Sequence, residues 1–96
     1  MKHKSFILPS VGSNVKGIHI LGKPYTGKIS SVRPHTLNYD LIEFFIEFDE
    51  PTDLSSNFFL KDVRTSINVT ASIEKSDMKE QRWVGPSGDY FTVIQN

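Results

Sequence analysis

The run LIEFFIEFD, residues 41–49, alternates strictly between two sets of side chains. Ile42, Phe44, Ile46 and Phe48 share one parity; Leu41, Glu43, Phe45, Glu47 and Asp49 share the other. Successive side chains of an extended chain point to opposite faces, so this pattern is a strand with its even-numbered face in a core. Ile67, Val69, Ala71 and Ile73 in INVTASI repeat the alternation and give a second strand. The end of the chain, WVGPSGDYFTVIQ, reads as a short strand, a GPSG turn and a final strand. Proline supplies a fixed φ there and glycine a permitted positive φ, the two requirements of a tight reversal. VKGIHIL (15–21) and GKISSVR (27–33) are two further strands joined by GKPYTG. SDMKEQR (76–82) is the one helical candidate, but it lacks an apolar stripe and reads as a solvated turn or bulge.

Five to six short strands with hardly any helix predict an all-β domain, a small barrel with a C-terminal hairpin. A sandwich of immunoglobulin type needs more strands and usually more residues. Closure also hides the strand edges that a small open sheet would leave exposed. At 96 residues the chain forms one domain, with residues 1–12 as a loose tail. A chain of this length buries a little over ~60% of its unfolded surface, which leaves little room for a deep enzyme cleft.

The chain has no cysteine, so disulfides, thiolate chemistry and cysteine-based zinc sites are excluded. The start, MKHKSFILPSVGS, holds three consecutive apolar residues, too few for a secretory signal, and no run approaches membrane-spanning length. A soluble, cytoplasmic protein is therefore expected, and the glycosylation pattern at Asn68 is read as chance.

Eleven basic residues balance eleven acidic ones, but unevenly along the chain. Residues 1–40 carry six cations, among them Lys16, Lys23, Lys28 and Arg33, against Asp40 alone. Residues 41–60 carry Glu43, Glu47, Asp49, Glu50 and Asp53 with no cation. A neutral total drives nothing onto a polyanion, so charge can act only locally.

VGSNVKGIHILGKPYTGKISSVRPHTLNYDLIEFFIEFDEP resembles the front half of an SH3-like small barrel of the KOW and Tudor kind. The features that carry the likeness are Gly17, the loop from Gly22 to Thr26, the opening Gly27-Lys28-Ile29 of a bent second strand, and the alternating third strand with its turn. After INVTASI the chain departs from the minimal pattern, being longer and ending in an extra hairpin. The resemblance implies a binding surface on the first loop and the connection between strands two and three. By position these are GKPYTG and RPHTLNYD, which bring Lys23, Tyr25, Lys28, Arg33, His35 and Tyr39 together. Cations for phosphate and aromatic faces for bases suit RNA or single-stranded DNA. The structural reading of the same loop is a hairpin turn kept soluble by its lysines, with Tyr25 folded back over the barrel's open end.

The acidic face of the third strand, Glu43, Phe45, Glu47 and Asp49, with Glu50 and Asp53 beyond it, offers the other surface: a dock for a protein with a basic patch. Glu47 and Asp49 would stand roughly 6.6 Å apart along a strand, a spacing suited to a carboxylate pair. Nothing apolar beside them raises a pKa, so acid–base catalysis is not expected. His3, His19 and His35 lie sixteen residues apart each time, not as the close pairs zinc sites favour. GKPYTGKIS fails as a phosphate-binding loop, because its spacing is wrong and it leads into a strand. No cofactor, metal or catalysis is expected. Phe58, Phe59 and Leu60 either pack beneath a crossing loop or form an apolar patch for a partner, and Trp83 anchors the last hairpin.

The expectation is a non-catalytic binding module, associated with nucleic acid through the basic loop. The alternative is a small interaction or regulatory protein docking through the acidic strand and an apolar patch. Nothing in the sequence encodes an oligomeric state.

Overall fold

A computed structural model describes residues 8–20, 22–34, 40–55 and 61–94. His3, His35, Tyr39 and the cluster Phe58, Phe59 and Leu60 lie outside the described residues, as does most of the expected tail. The described residues hold six strands and no helix: β1 (Asn14–Ile18), β2 (Pro24–Pro34), β3 (Leu41–Asp53), β4 (Val63–Asp77), β5 (Arg82–Val84) and β6 (Tyr90–Val93). Each pairs antiparallel with the next, and β6 returns to β1, closing a barrel in simple chain order. This all-β, six-stranded closed barrel is consistent with a small SH3-like barrel.

The alternations fall as the residue types require. Ile42, Phe44 and Ile46 on β3 face inward, as do Ile67, Val69, Ala71 and Ile73 on β4. They meet Val15, Tyr25, Ile29, Leu54, Trp83 and Phe91 in one core. The centre is aromatic: Phe44 stacks edge-on against Phe91 at 4.9 Å and tilted against Trp83 at 5.0 Å between ring centroids. Burying each side chain of this size contributes about 1.5–3 kcal/mol.

The strands are not all short. β2, β3 and β4 run to eleven, thirteen and fifteen residues. Each bends round the barrel at a bulge, where extra residues on one strand sharpen its twist. In β2 the bulged residue is Ser30, between the pairs Ile29↔Ile46 and Ser31↔Phe45, and its hydroxyl donates to the Phe45 carbonyl at 3.1 Å. In β3, Phe48 to Pro51 lie opposite Thr65 alone. In β4, Ile73 to Ser76 lie opposite Trp83 alone. The expected turn at SDMKEQR is confined to residues 78–81, because β4 continues to Asp77.

Ser76 shows how the β4 bulge is held. Buried at 6% exposure, its hydroxyl donates to the Ser72 carbonyl at 2.6 Å and accepts the Val84 N–H at 3.0 Å. The side chain thus replaces ladder bonds that the bulge removes. Ser76→Ala is expected to cost about 1–2 kcal/mol and lower the melting temperature by roughly 4–8 °C per kcal/mol. An unchanged melting curve would show that the bulge holds without this hydroxyl.

Candidate functional site

The first connection is tighter than GKPYTG implies. The His19 N–H donates to the Lys23 carbonyl at 2.8 Å and the Gly22 N–H to the His19 carbonyl at 2.7 Å, so the reversal is closed before Pro24. β2 therefore starts at Pro24, a position that tolerates a missing N–H. The parity runs from this start to the bulge at Ser30. Tyr25, Gly27 and Ile29 turn inward; Thr26 and Lys28 turn out.

Tyr25 is consequently not the exposed aromatic face suggested by the nucleic-acid surface; it folds back into the barrel. It is 5% exposed and its ring lies 5.3 Å from that of Phe48. Its hydroxyl occupies the space above Gly17, where an added Cβ would come within 2.6 Å of it. Burial, then the negative charge of Asp89, pushes the phenol up from its ordinary value near 10. The phenol ionises near pH 10 in the unfolded chain but well above that when folded. The stability it contributes is therefore complete below pH 10 and is lost as pH rises further. Wild-type protein should lose stability between pH 9 and 11 more steeply than Tyr25→Phe when both are unfolded in urea, with identical profiles contradicting the burial (pH range set by the usual tyrosine pKa of ~10).

The basic and acidic surfaces do not form separate faces, because β2 and β3 are neighbours. Arg33 lies opposite Glu43, its Nε 2.8 Å from Oε2, and Lys28 lies opposite Glu47. Side chains directly opposite on antiparallel strands have Cβ atoms about 4.5–5.5 Å apart, well inside the Debye length of ~8 Å. Phe45, between the two pairs, is half-buried opposite Ser31 and Asn68. Lys23 belongs to the first connection and lies near Asp53. Hydrogen bonds hold the Asp53 carboxyl below its ordinary range, from Ser55 first and then from Asp62, with the Lys23 charge adding to them. Lys23, Lys28 and Arg33 are thus each brought beside a carboxylate of the acidic block, Asp53, Glu47 and Glu43. Glu47 stays in the ladder while Asp49 enters the β3 bulge, so the two carboxylates occupy different settings.

What remains open is a groove of about 980 Å³ beside that bulge. The β2–β3 register ends at Gly27↔Phe48, so Pro24 to Thr26 and Asp49 to Asp53 diverge and the groove lies between them. Its floor is one register row across four strands: Thr26 opposite Lys16, Lys16 opposite Thr92, and Thr92 opposite Arg82. Ile18 and Tyr90 form the next row, and the Arg82 guanidinium sits 5.4 Å from the Tyr90 ring centroid. One wall carries Asp49, Glu50 and Asp53. Asp53 Oδ1 also accepts the main-chain N–H groups of Ser55 at 2.9 Å and Asp62 at 3.2 Å, which fixes this wall to the loop beyond.

The sequence reading picked out the carboxylates but missed Lys16, Arg82 and Tyr90. Only the closure of β6 onto β1 places them together. His19, half-buried, lines a smaller cavity of about 250 Å³ at the barrel end with Asn68 and Asp89. Among the described residues no group of three histidines or carboxylates is placed to hold a metal ion, and no helix is long and apolar enough to cross a membrane. Comparison with protein-family models, with curated proteins and with solved structures finds no match to this chain.

Proposed function

We propose that the protein is a non-catalytic binding module whose groove takes a segment of a protein partner bearing basic side chains. The observation that supports this is the groove wall, where Asp49, Glu50 and Asp53 stand along one side and Lys23 lies near Asp53 alone. The cations of β2 that would attract phosphate already face Glu43 and Glu47. A nucleic-acid strand in the groove would meet carboxylates along one side, whereas a lysine- or arginine-bearing segment meets complementary charge. Complementarity of this kind sets specificity and association rate more than affinity.

Lys16, Arg82 and Tyr90 favour a second reading, RNA or single-stranded DNA laid on the floor, because cations beside an exposed ring are the mixture such strands use. A pair of titrations separates the readings. A lysine-rich peptide should bind and weaken with salt, and an oligouridylate should not bind even at low salt. Oligouridylate binding with a log–log salt slope of about −0.7 per phosphate contact, lost in Lys16→Glu/Arg82→Glu, would establish the second reading and remove the first.

A further inference from the structure

We infer that the partner's segment lies in the groove as an extended strand, hydrogen-bonded to the Pro24 carbonyl and the Thr26 N–H on the open edge of β2; this rests on the reading of the groove as a protein-partner site. Main-chain groups of a strand point alternately to its two sides. Before the bulge at Ser30, the odd-numbered residues of β2 direct theirs toward β1. The Ile29 N–H donates to the Ser13 carbonyl at 3.0 Å, the Ile29 carbonyl accepts the Gly12 N–H at 2.7 Å, and the Lys23 carbonyl accepts the His19 N–H. By the same alternation the Thr26 N–H and carbonyl and the Pro24 carbonyl point the other way, toward β3. The pair Gly27↔Phe48 engages the Thr26 carbonyl with Asp49, but β3 leaves the register there, so the Thr26 N–H and the Pro24 carbonyl have no register partner on it. The β3 wall cannot act as the pairing edge in the same way: Pro51 has no N–H, and the Glu50 carbonyl accepts the Thr52 hydroxyl at 2.9 Å. One wall therefore offers main-chain groups and the other offers carboxylates.

That division selects the occupant. A strand added to β2 places every second side chain on the outer face, beside Thr26 and across from Asp49 and Glu50, so cations at alternate positions are matched. A second copy pairing through the same segment would bring its own Asp49, Glu50 and Asp53 against these three, and Pro24 would interrupt the edge. A nucleic-acid strand has no main chain to complete the ladder.

The test leaves the protein unaltered. An acetylated peptide alternating lysine with valine is titrated by fluorescence anisotropy, beside a glutamate–valine peptide and lysine–valine peptides N-methylated on one or other set of alternate amides. The lysine–valine peptide should bind and the glutamate peptide should not. One N-methylated set should bind about tenfold more weakly, as the loss of one or two main-chain hydrogen bonds requires, and the other set should bind as the parent does. Equal binding by both methylated peptides would overturn the strand geometry and leave the groove reading standing. No binding by the parent lysine–valine peptide would overturn both.

Discussion

Phe44→Ala is expected to leave the chain without a cooperative unfolding transition. Phe44 is 1% exposed and carries contacts from β3 to both strands of the C-terminal hairpin, through Trp83 on β5 and Phe91 on β6. Removing a buried phenylalanine costs about 3–5 kcal/mol, because the lost transfer energy is joined by the cavity left behind. A domain of this size has in total roughly 5–15 kcal/mol, so the substitution consumes much or all of it. The chain carries its own reporter: Trp83 is the sole tryptophan and is fully buried. Its emission should be blue-shifted in the wild type, shifting red in one sharp step on urea addition. In the variant the red-shifted spectrum should already be present, or nearly so, without urea. Phe44→Leu, which refills part of the space, should restore a transition at reduced midpoint. A loss below about 1 kcal/mol in Phe44→Ala, well under the range for core truncation, would place Phe44 outside the core.

Gly27→Ala is expected to be nearly as damaging, and for a different reason. Gly27 has an ordinary φ, so the cost is not conformational. An added Cβ would fall inside contact distance of the Glu47 carbonyl oxygen and 3.0 Å from both the Glu47 carbonyl carbon and Ile46 Cγ2. A flexible side chain could move aside, but the Glu47 main chain is held in the ladder on both sides, opposite Lys28 and Ser66. Overpacking of this kind costs about 1–3 kcal/mol and occasionally more, and the backbone obstacle puts this substitution at the upper end. Gly22→Ala is the control: φ is +86° there, but nothing lies within 4 Å of the added Cβ. Its cost should be the left-handed backbone alone, about 1–2 kcal/mol. Urea midpoints of the two variants compare the terms directly. Equal losses would mean that β2 and β3 do not approach at Gly27 as closely as described. Because Gly27↔Phe48 is also the last pair before the ladder opens, the same substitution should weaken lysine-peptide binding.

Much of this barrel was legible in local patterns and most of its site was not, for one physical reason. Alternation reports which face of a strand is buried, and LIEFFIEFD and INVTASI report it without ambiguity because large apolar groups recur at every second position. Register is a pairwise property and leaves no such trace. Arg33 and Glu43, or Lys28 and Glu47, look like opposite charge blocks along the chain and become cross-strand neighbours only once β2 and β3 are aligned across the bulge at Ser30. The length of β4 was hidden because its last turn-side residues, EKSD, are polar, and its bulge is stabilised by the hydroxyl of Ser76 rather than by apolar burial. For Tyr25 the sequence left two readings, a base-stacking ring or one folded back over the barrel, and β2 starting at Pro24 rather than at Gly27 decides for the second. One residue of parity separates a base-stacking tyrosine from a core one.

Amide chemical shifts of the labelled protein during titration with the lysine–valine peptide give the most direct measurement. If folding pairs the charges of β2 with those of β3 and leaves the split between the two strands as the binding face, the largest changes fall on Thr26, on Asp49, Glu50, Thr52 and Asp53, and on the neighbouring floor at Lys16 and Thr92. The outer face from Lys28 to Arg33 should stay still, since its cations remain opposite Glu47 and Glu43. Shifts concentrated on Lys28 to Arg33 and Glu43 to Glu47, with the groove silent, would contradict the account.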